Sequence, residues 1–472
     1  MELQRYIEIR HALRDIIKGS IWENHVFVVG GCVRDELMGN EIKEVDICID
    51  IPNGGERFAE WLFINKLITS KPVTYPTYGT AMFRLCLFPD YEIECVQTQK
   101  KKYSNERNHT PNSVFGSIME DCYLRDLTIN ALCRNVSTDE LLDLTGKGVA
   151  DIKSHVLRTT SAPDIIFDDD PLRILRCIRF AARFGWIIEE DTYQSILKNV
   201  FRLEFISRER IREEFNKMVT CKSPVKAMEL LKETGAMHYL VPELEETYCM
   251  KQNHYHFGSV WEHTLKVLDN IESSDLLLRM SALLHDIGKV RTREETEDGK
   301  VHFIGHEEKS AKMVDHILRK LKYPTDFIRK VQFLVRHHMV AKAWQDDLSQ
   351  MKPKHLRKLQ YVCRTEERFD NLLLLIDADN NAHAANYCME NQVRLIKERT
   401  EQMKKESTAL FDYQLPFSGD EVMRMKGLPP GLAVKETLDY LMKLVFINPQ
   451  RSKEEWTKCL IGYKTKNSYD KL

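Results

Sequence analysis

The chain has 472 residues, enough for roughly three domains of about 150 residues each. Its 43% apolar and 30% charged residues are typical of a globular protein and exclude disorder over most of the length. The 69 basic and 71 acidic residues nearly cancel, so any contact with nucleic acid requires local basic clusters.

Membrane insertion and disulfide bonding are both disfavoured by the sequence. The longest aliphatic run, Leu372 to Ile376, falls far short of the roughly 20 residues that cross a bilayer. The first residues lack the apolar core of a signal peptide, so we expect a cytoplasmic protein. The twelve cysteines show no C-x-x-C spacing, which predicts reduced thiols and argues against a cysteine-rich zinc site.

The first part of the chain predicts a small domain of mixed sheet and helices. After an N-terminal helix, short apolar runs predict strands at 25–31, 44–49, 82–88 and 92–97. From Asp168 onward the spacing becomes helical, with helices predicted at 171–184, 209–219 and 225–234. The fold class is therefore α+β, a small mixed-sheet head followed by an all-α body. The predicted domains are a head at 1–158, a helical neck at 159–250, a histidine-rich helical unit at 251–405 and a helical tail at 406–472.

A double glycine follows the first predicted strand. The segment 26–39 predicts a strand, a turn at Gly30 and Gly31, and a helix that begins near Cys32. Glycine lets the backbone approach a ligand closely, and a helix N-terminus offers free N–H groups to phosphate. Alone, the pattern is more typical of an ordinary tight turn.

Acidic residues in the next strands favour a phosphate site. Glu44 and Asp46 are two residues apart in a predicted strand, so their carboxylates point to the same face. Such a pair is suited to Mg²⁺ ions that bridge a triphosphate and activate an incoming hydroxyl. Glu94, in another apolar strand, would complete the catalytic set, although a solvated strand face explains Glu94 alone equally well.

These motifs resemble a known family. The run G-G-x-V-R-D (30–35), followed by Glu44-Val45-Asp46, is similar to the class II nucleotidyltransferases of the polymerase β superfamily, which include tRNA CCA-adding enzymes and bacterial poly(A) polymerases. The resemblance implies that Gly30, Gly31 and Arg34 bind the nucleotide. Glu44 departs from the Asp that is usual in the family, and its longer side chain would shift the metal geometry.

The resemblance continues through the rest of the predicted head. The segment L-R-D-L-T-I-N-A (124–131) is similar to a family block associated with the ribose, which implies nucleotide-binding roles for Arg125, Asp126 and Asn130. Leu127 stands where Phe is usual. The other matching positions are Tyr103, Arg107, Pro111, Val114, Gly116, Asp121, Asp143, Gly146, Gly148, Asp151 and Arg158.

Three consecutive aspartates, Asp168 to Asp170, precede Pro171 and predict the start of a helix. Asp170 and Arg173 would share a face of that helix, where the carboxylate can accept from the exocyclic amine of C or A and the guanidinium can donate to the adjacent ring nitrogen. The family's E-D-x-x-R template motif resembles Asp169, Asp170 and Arg173, which implies that the protein selects the base. The register of the triple Asp is open by one position.

The same predicted helix carries a row of arginines. Arg173, Arg176, Arg179 and Arg183 recur at helical spacing beside an apolar stripe. With the basic segments 99–103 and 202–212, this face would bind the phosphates of a nucleotide or of an acceptor stem. Arg176 and Arg179 are accordingly predicted nucleotide-binding residues.

Histidines concentrate between about His254 and Arg399. The order of His263, His285-Asp286 and Asp379 is similar to the H…HD…D pattern of the HD phosphohydrolase superfamily. The resemblance implies that these four residues bind Mg²⁺ or a divalent transition metal, and that His306 and His338 serve a second metal or the substrate. The alternatives His337 for His338 and Asp377 for Asp379 stay open. Many bacterial CCA-adding enzymes carry such a unit, and segment 416–436 resembles their tail.

Three functions fit these observations. The first is template-independent addition of CCA to tRNA from CTP and ATP, with Mg²⁺ in the head. The second is poly(A) addition or addition of only part of CCA, since the catalytic motifs are shared. The third is an HD phosphohydrolase whose head only binds RNA, although a binding-only head has no need of the carboxylates at positions 44 and 46.

Overall fold

A computed structural model describes residues 2–75, 79–100, 114–252, 258–344, 352–406 and 411–465. The family matches at Tyr103, Arg107 and Pro111, and the start of the histidine-rich unit near His254, lie outside these described residues. The chain divides into two compact units, Met1–Leu240 and Val241–Leu472. No helix in the described ranges combines the length and apolar character needed to span a membrane.

A seven-stranded mixed sheet forms the core of the first unit, in the order β3-β4-β5-β2-β1-β6-β7. β2 and β5 pair in parallel, and all other neighbours in this sheet are antiparallel. The strands are β1 (Val26–Val29), β2 (Val45–Ile49), β3 (Val73–Tyr75), β4 (Thr80–Phe83), β5 (Ile93–Gln97), β6 (Cys133–Asn135) and β7 (Leu141–Leu142). The five helices of this region are α1 (Leu3–Ile17), α2 (Gly31–Leu37), α3 (Gly54–Ile64), α4 (Ile118–Leu124) and α5 (Gly148–Ser154).

The four predicted strands are present, with one shortened. The predicted strand at 82–88 is wrong beyond Phe83, because the chain leaves the sheet there and Leu85 makes only an isolated bridge to Ile68. The sequence did not predict β3, β6 and β7, which have three, three and two residues. Strands this short carry too few alternating positions to be seen by periodicity.

Helices take over after a two-stranded parallel ribbon of β8 (Val156–Leu157) and β9 (Ile187–Ile188). They are α6 (Pro163–Asp169), α7 (Leu172–Phe184), α8 (Glu190–Asn199), α9 (Arg208–Val219), α10 (Pro224–Glu233) and α11 (Met237–Leu240). The predicted helices at 171–184, 209–219 and 225–234 are confirmed within two residues. The apolar stripe of α7 is buried, as predicted.

The second unit is helical, apart from a small hairpin of β10 (Glu294–Glu295) and β11 (Val301–His302). Its histidine-rich part contains α12 (Val260–Asp269), α13 (Leu276–Leu284), α14 (His306–Lys320), α15 (Thr325–His337), α16 (Pro353–Cys363), α17 (Glu366–Asn380) and α18 (Gln392–Glu406). Its last helices are α19 (Gly419–Lys426), α20 (Leu432–Ile447) and α21 (Lys453–Gly462). The α+β fold class, a mixed-sheet head and a helical body, is confirmed.

The helices of the predicted tail pack against a helix that precedes them. Its core of apolar residues on α19 to α21 also packs against Tyr361 of α16. Arg357 of α16 donates hydrogen bonds from Nη1 to the carbonyls of Phe446 and Ile447, at 2.9 and 3.0 Å. Helix α16 therefore belongs to the core of the tail as well. All twelve cysteines are free thiols, in line with the prediction.

Candidate active site and metal centre

The turn after β1 requires glycine at its first position. Gly30 adopts φ 74° and ψ −131°, a conformation that side chains strongly disfavour. A Cβ atom built there would lie 3.1 Å from Nη1 of Arg125. Helix α2 begins at Gly31, one residue before the predicted start near Cys32.

The parallel pairing of β2 and β5 brings two of the predicted carboxylates together. Asp46 lies directly opposite Glu94 in the register, so both side chains project from the same face of the sheet. Glu44 is an exposed residue just before β2, so the prediction that it lies within the strand is wrong by one position.

The negative charges of these acidic side chains repel one another. Burial raises the pKa of Asp46 to about 6, with Glu94 and Glu44 adding to the effect and Arg125 opposing it. Burial also raises the pKa of Glu94, and repulsion from Glu44 and Glu92 raises it further. Oxygen ligands crowded in this way fit a hard divalent cation, which would relieve the repulsion.

Arg34 and Arg176 are joined through a buried hydrogen-bonded chain. Arg34, on α2, donates from Nη1 to Oδ1 of Asn130 at 2.5 Å, and from Nε and Nη2 to Asp35. Asn130 in turn donates to Oδ1 of Asp126 at 3.0 Å, and Asp126 accepts from Nε of Arg176 at 2.7 Å. The structure therefore brings Arg34, Asp126, Asn130 and Arg176 together, with the Arg34 side chain only 5% exposed.

Arg125 lies on the other side of the Gly30 turn. Its guanidinium donates to Oδ2 of Asp121 from Nε and Nη2, at 3.1 and 2.9 Å. Asp121 was matched only as part of the family pattern, and its role as partner of Arg125 was not predicted. This pair explains how a half-buried arginine is held beside the Gly30 turn.

The proposed base-reading pair is not joined in this conformation. Asp170 lies between α6 and α7: it is the C-cap of α6, and its Oδ1 accepts from the backbone N–H of Leu172 at the start of α7, at 3.1 Å. Its Oδ2 accepts from Nη2 of Arg210 at 2.7 Å. Arg173 instead donates to the carbonyls of Leu124 and Ile166, at 2.6 and 3.4 Å. The prediction that the three aspartates start one helix is wrong, because Pro163 starts α6 earlier and Asp169 is its last residue.

Arg179 departs from the predicted positive face. Its side chain is 11% exposed and its Nε donates to Oε2 of Glu214 on α9 at 2.6 Å. The guanidinium also lies 4.3 Å from the ring centroid of Phe180. A nearly buried arginine with its own acid is part of the packing of α7 on α9, and not of an exposed phosphate-binding surface.

The predicted metal residues of the second unit converge from two helices and the end of a third. His263 lies on α12, His285 and Asp286 follow α13, and Asp379 lies on α17. Nε2 of His263 is 3.1 Å from Oδ1 of Asp379, and Nε2 of His285 is 3.2 Å from Oδ2 of Asp286. All four are buried.

A second group of ligands shares Asp286. His306 starts α14 and His338 follows α15, and their Nε2 atoms lie 3.2 and 3.7 Å from Oδ1 of Asp286. The two sets in the described part of the chain whose ligand atoms all lie within 4.8 Å are His263 with His285 and Asp286, and Asp286 with His306 and His338. The head carboxylates are not such a set.

The histidine tautomers suit a metal. Nδ1 of His285, His306 and His338 lies 2.8, 2.7 and 2.6 Å from a backbone carbonyl, which can only accept. Nδ1 must therefore carry the proton. The buried Nε2 atoms of these three residues face the Asp286 carboxylate and make no hydrogen bond of accepted geometry with any described residue. Lone pairs oriented by a hydrogen bond at the other ring nitrogen are the usual form of metal-binding histidine. The donor set thus fits a divalent metal.

In each of the two pairs of alternatives, one residue lies in the cluster and the other does not. His337 stacks on Phe333, with ring centroids 4.5 Å apart, and its Nδ1 lies 2.8 Å from the Phe333 carbonyl, whereas His338 joins the cluster. Asp377 is not among the cluster contacts, which are made by Asp379. Sequence reasoning missed His383, whose ring centroid lies 5.6 Å from that of His263, and two lysines that contact the carboxylates.

Three family descriptions match consecutive parts of the chain. They are the Poly A polymerase head domain at 26–158, the probable RNA and SrmB-binding site of polymerase A at 185–247, and the HD domain at 254–380. The head and the HD match contain the two clusters described above.

Relatives and solved structures agree with these matches. An A-adding tRNA nucleotidyltransferase of Deinococcus radiodurans is 30% identical over 87% of this chain and 89% of its own. A multifunctional CCA protein of Azoarcus sp. is 28% identical over 75% of this chain and 82% of its own. The fold is similar to that of the Bacillus stearothermophilus CCA-adding enzyme in complex with CTP, with a TM-score of 0.66, 19% identity and 96% of each chain covered. The chain therefore belongs to the tRNA nucleotidyltransferase family built on a poly(A) polymerase head and carrying an HD domain.

Proposed function

We propose that the protein adds CCA to the 3′ end of tRNA, using CTP and ATP as donors and releasing pyrophosphate. The observation that carries this proposal is the pairing of Asp46 with Glu94 on parallel strands, next to the Gly30 turn. A head that only bound RNA would have no reason to keep two carboxylates in mutual repulsion. The curated relatives support the choice of tRNA as substrate.

Glu44, Asp46 and Glu94 would hold Mg²⁺. The ion would neutralise charge at the transferring phosphoryl group and lower the pKa of the attacking hydroxyl. The hydrogen bonds that link Arg34 to Arg176 would hold the side chains around the nucleotide in place. Arg125 would face the phosphates or the ribose of the nucleotide.

We propose that Asp170 and Arg173, with Asp169 beside them, select the base. The side chains of Asp170 and Arg173 are half-buried at the junction of α6 and α7, with the acceptor and the donor three residues apart. To reach a base, Asp170 must release Arg210, and Arg173 must release the Leu124 carbonyl. The bound nucleotide would supply replacement hydrogen bonds.

Addition of A alone is the second candidate, because the Deinococcus relative is named an A-adding enzyme. The test is incorporation of labelled CTP or ATP into three tRNA substrates, ending before CCA, after C, and after CC. The proposal predicts CTP addition to the first two and ATP addition to the third. Addition of ATP to the CC-ending tRNA with no CTP addition would establish the A-adding activity instead.

We propose that the HD cluster binds a divalent metal and hydrolyses a phosphoester, with a 2′,3′-cyclic phosphate at an RNA 3′ end as the expected substrate. The bound metal would activate water. Hydrolysis of such an end would regenerate a hydroxyl on which the head can act. The metal of the HD unit is proposed to be Mg²⁺ or a divalent transition metal.

We also propose that the chain forms four domains with boundaries near 158, 250 and 405, and that the protein is located in the cytoplasm.

A further inference from the structure

Two lysine ammonium groups lie inside the HD cluster, one on each of its carboxylates. Nζ of Lys289 is 2.6 Å from Oδ2 of Asp286, and Nζ of Lys342 is 3.0 Å from Oδ2 of Asp379. The lysine side chains are 4% and 19% exposed, and the aspartates 2% and 3%. The cluster therefore contains two negative and two positive formal charges before any ion is added.

Lys342 is surrounded by acceptors. An ammonium group has three N–H donors and no acceptor, and Nζ of Lys342 has three partners within 3.2 Å. Besides Asp379 these are Oδ1 of Asn380 at 3.2 Å and Nε2 of His383 at 3.1 Å. Nδ1 of His383 lies 2.7 Å from the Asp379 carbonyl, so that nitrogen carries the proton and Nε2 offers its lone pair to the lysine.

The amide of Asn380 is oriented by a chain of buried hydrogen bonds. The Ala341 carbonyl can only accept, and it accepts from Nε2 of Gln392 at 3.0 Å. Oε1 of Gln392 therefore faces Asn380 and accepts from its Nδ2 at 3.0 Å. This leaves Oδ1 of Asn380 directed at Lys342, so all three partners of the ammonium are fixed as acceptors.

The two lysines affect the stability of the HD cluster when no metal is bound. A buried carboxylate that loses its only counter-charge destabilises a fold strongly. In an HD site where the metal alone neutralised the aspartates, removing the metal would open the surrounding helices. Here each aspartate keeps a cation of the chain itself.

We propose that Lys289 and Lys342 are built-in counter-cations that keep the HD cluster folded when no metal is bound. In addition, Lys342 binds Oδ2 of Asp379 and so leaves only Oδ1 to face His263 and an incoming ion. Lys342 is in this sense a positioning residue. The inference rests on the proposed metal-binding function only in the choice of ion added in the test below.

The test is hydrogen exchange measured by mass spectrometry on the full chain, followed in peptides from α12 and α17. In the wild type, we expect EDTA to leave exchange in both helices unchanged. In Lys342→Met, Asp379 lacks a cation when no metal is bound, so we expect exchange in EDTA to be at least about tenfold faster than in the wild type. Addition of 1 mM Mn²⁺, at about tenfold excess over the chelator, should reverse this increase. Lys342→Arg should behave as the wild type does.

Lys330→Met is the matched control, since Lys330 forms an exposed pair with Asp326 at 2.9 Å on α15. It should show no effect of EDTA. Faster exchange of α12 and α17 when EDTA is added to the wild type, or a Lys342→Met protein whose exchange in EDTA is as slow as that of the wild type, would overturn the inference. If Lys342→Met does not fold even with Mn²⁺, the double variant Lys342→Met/Asp379→Asn decides: recovery of protection supports the inference and continued unfolding refutes it.

Failure of the proposed metal site gives a different result. In that case Mn²⁺ changes exchange in no variant, while the comparison of Lys342→Met with the double variant in EDTA still tests the counter-cations.

Discussion

Asp46 must be ionised to hold a cation, yet its surroundings favour the protonated form. Burial raises its pKa to about 6, and Glu94 and Glu44 add to that shift. A carboxylate with this property is stabilised in its charged form by the ion it binds. The pKa of the free residue and the affinity for Mg²⁺ are therefore linked.

The first prediction concerns pH. Because the proton and Mg²⁺ compete for Asp46, the Mg²⁺ concentration that gives half-maximal incorporation should be nearly constant above pH 7. It should rise as the pH falls through about 6, by up to about tenfold per pH unit. Mg²⁺ titrations of incorporation between pH 5 and 8 measure this dependence. A Mg²⁺ requirement that is the same at pH 5 and pH 7 would contradict the assignment of Asp46.

The second prediction concerns removal of the Asp46 charge. Asp46→Asn should lower incorporation by at least about a thousandfold, since each ~1.4 kcal/mol lost in the transition state costs tenfold and metal neutralisation supplies several kcal/mol. Its circular dichroism and thermal unfolding should match the wild type. Glu60→Gln is the control, because Glu60 is an exposed acid on α3. Near-normal incorporation by Asp46→Asn would refute the site.

The third prediction concerns base choice. Arg173→Ala should lose discrimination against UTP and GTP by about 10- to 100-fold, because one lost hydrogen bond in a buried site costs about 1–3 kcal/mol. Competition between single nucleotides on one tRNA measures this ratio. Arg210→Ala is a useful comparison, since it frees Asp170 without touching Arg173 and should preserve selectivity. Unchanged selectivity in Arg173→Ala would show that another residue reads the base.

At the scale of elements, α7 shows how far periodicity can be trusted. Its buried stripe and its bounds followed from the spacing of apolar residues. The role of Arg179 did not, because spacing places it with the other arginines and cannot reveal Glu214, 35 residues later, as its partner. The boundary between α6 and α7 was missed because three acids before a proline look like a helix start, whereas here the first two lie in the last turn of α6 and only Asp170 caps α7.

The fourth prediction concerns the buried ion pair between α7 and α9. Glu214→Ala leaves the Arg179 guanidinium buried and unpaired, so we expect a loss of about 3–5 kcal/mol in the free energy of unfolding. The double variant Arg179→Met/Glu214→Met should recover most of that loss, because it removes both charges. Urea unfolding measures both, with the exposed neighbour Glu213→Ala as control. A loss below about 1 kcal/mol in Glu214→Ala would show that the pair contributes little.

At the scale of the whole molecule, the two candidate sites were predictable to different depths. The proposed HD ligands are spread over more than 100 residues, and their order alone predicted them through a resemblance. The choice of His338 over His337 needed the three-dimensional structure, because adjacent residues at a helix end point in different directions. Lys289, Lys342 and His383 act through contacts between distant segments, and no local pattern marks them.

The last prediction follows from the division into two compact units, with the carboxylates of the head in one and the HD cluster in the other. His285→Ala combined with Asp286→Ala removes one residue of the first proposed ligand set and the aspartate that both sets share. Metal-dependent hydrolysis of a 2′,3′-cyclic phosphate should therefore fall below detection. Nucleotide addition to intact tRNA should stay within about twofold of the wild type, because no catalytic residue of the head is altered. His316→Ala, an exposed histidine of α14, is the control and should keep both activities. Wild-type protein without hydrolysis of cyclic, mono- or diester phosphates in Mg²⁺, Mn²⁺, Co²⁺ or Ni²⁺ would refute the phosphohydrolase. A parallel loss of nucleotide addition in the double variant would instead show that the two activities depend on each other.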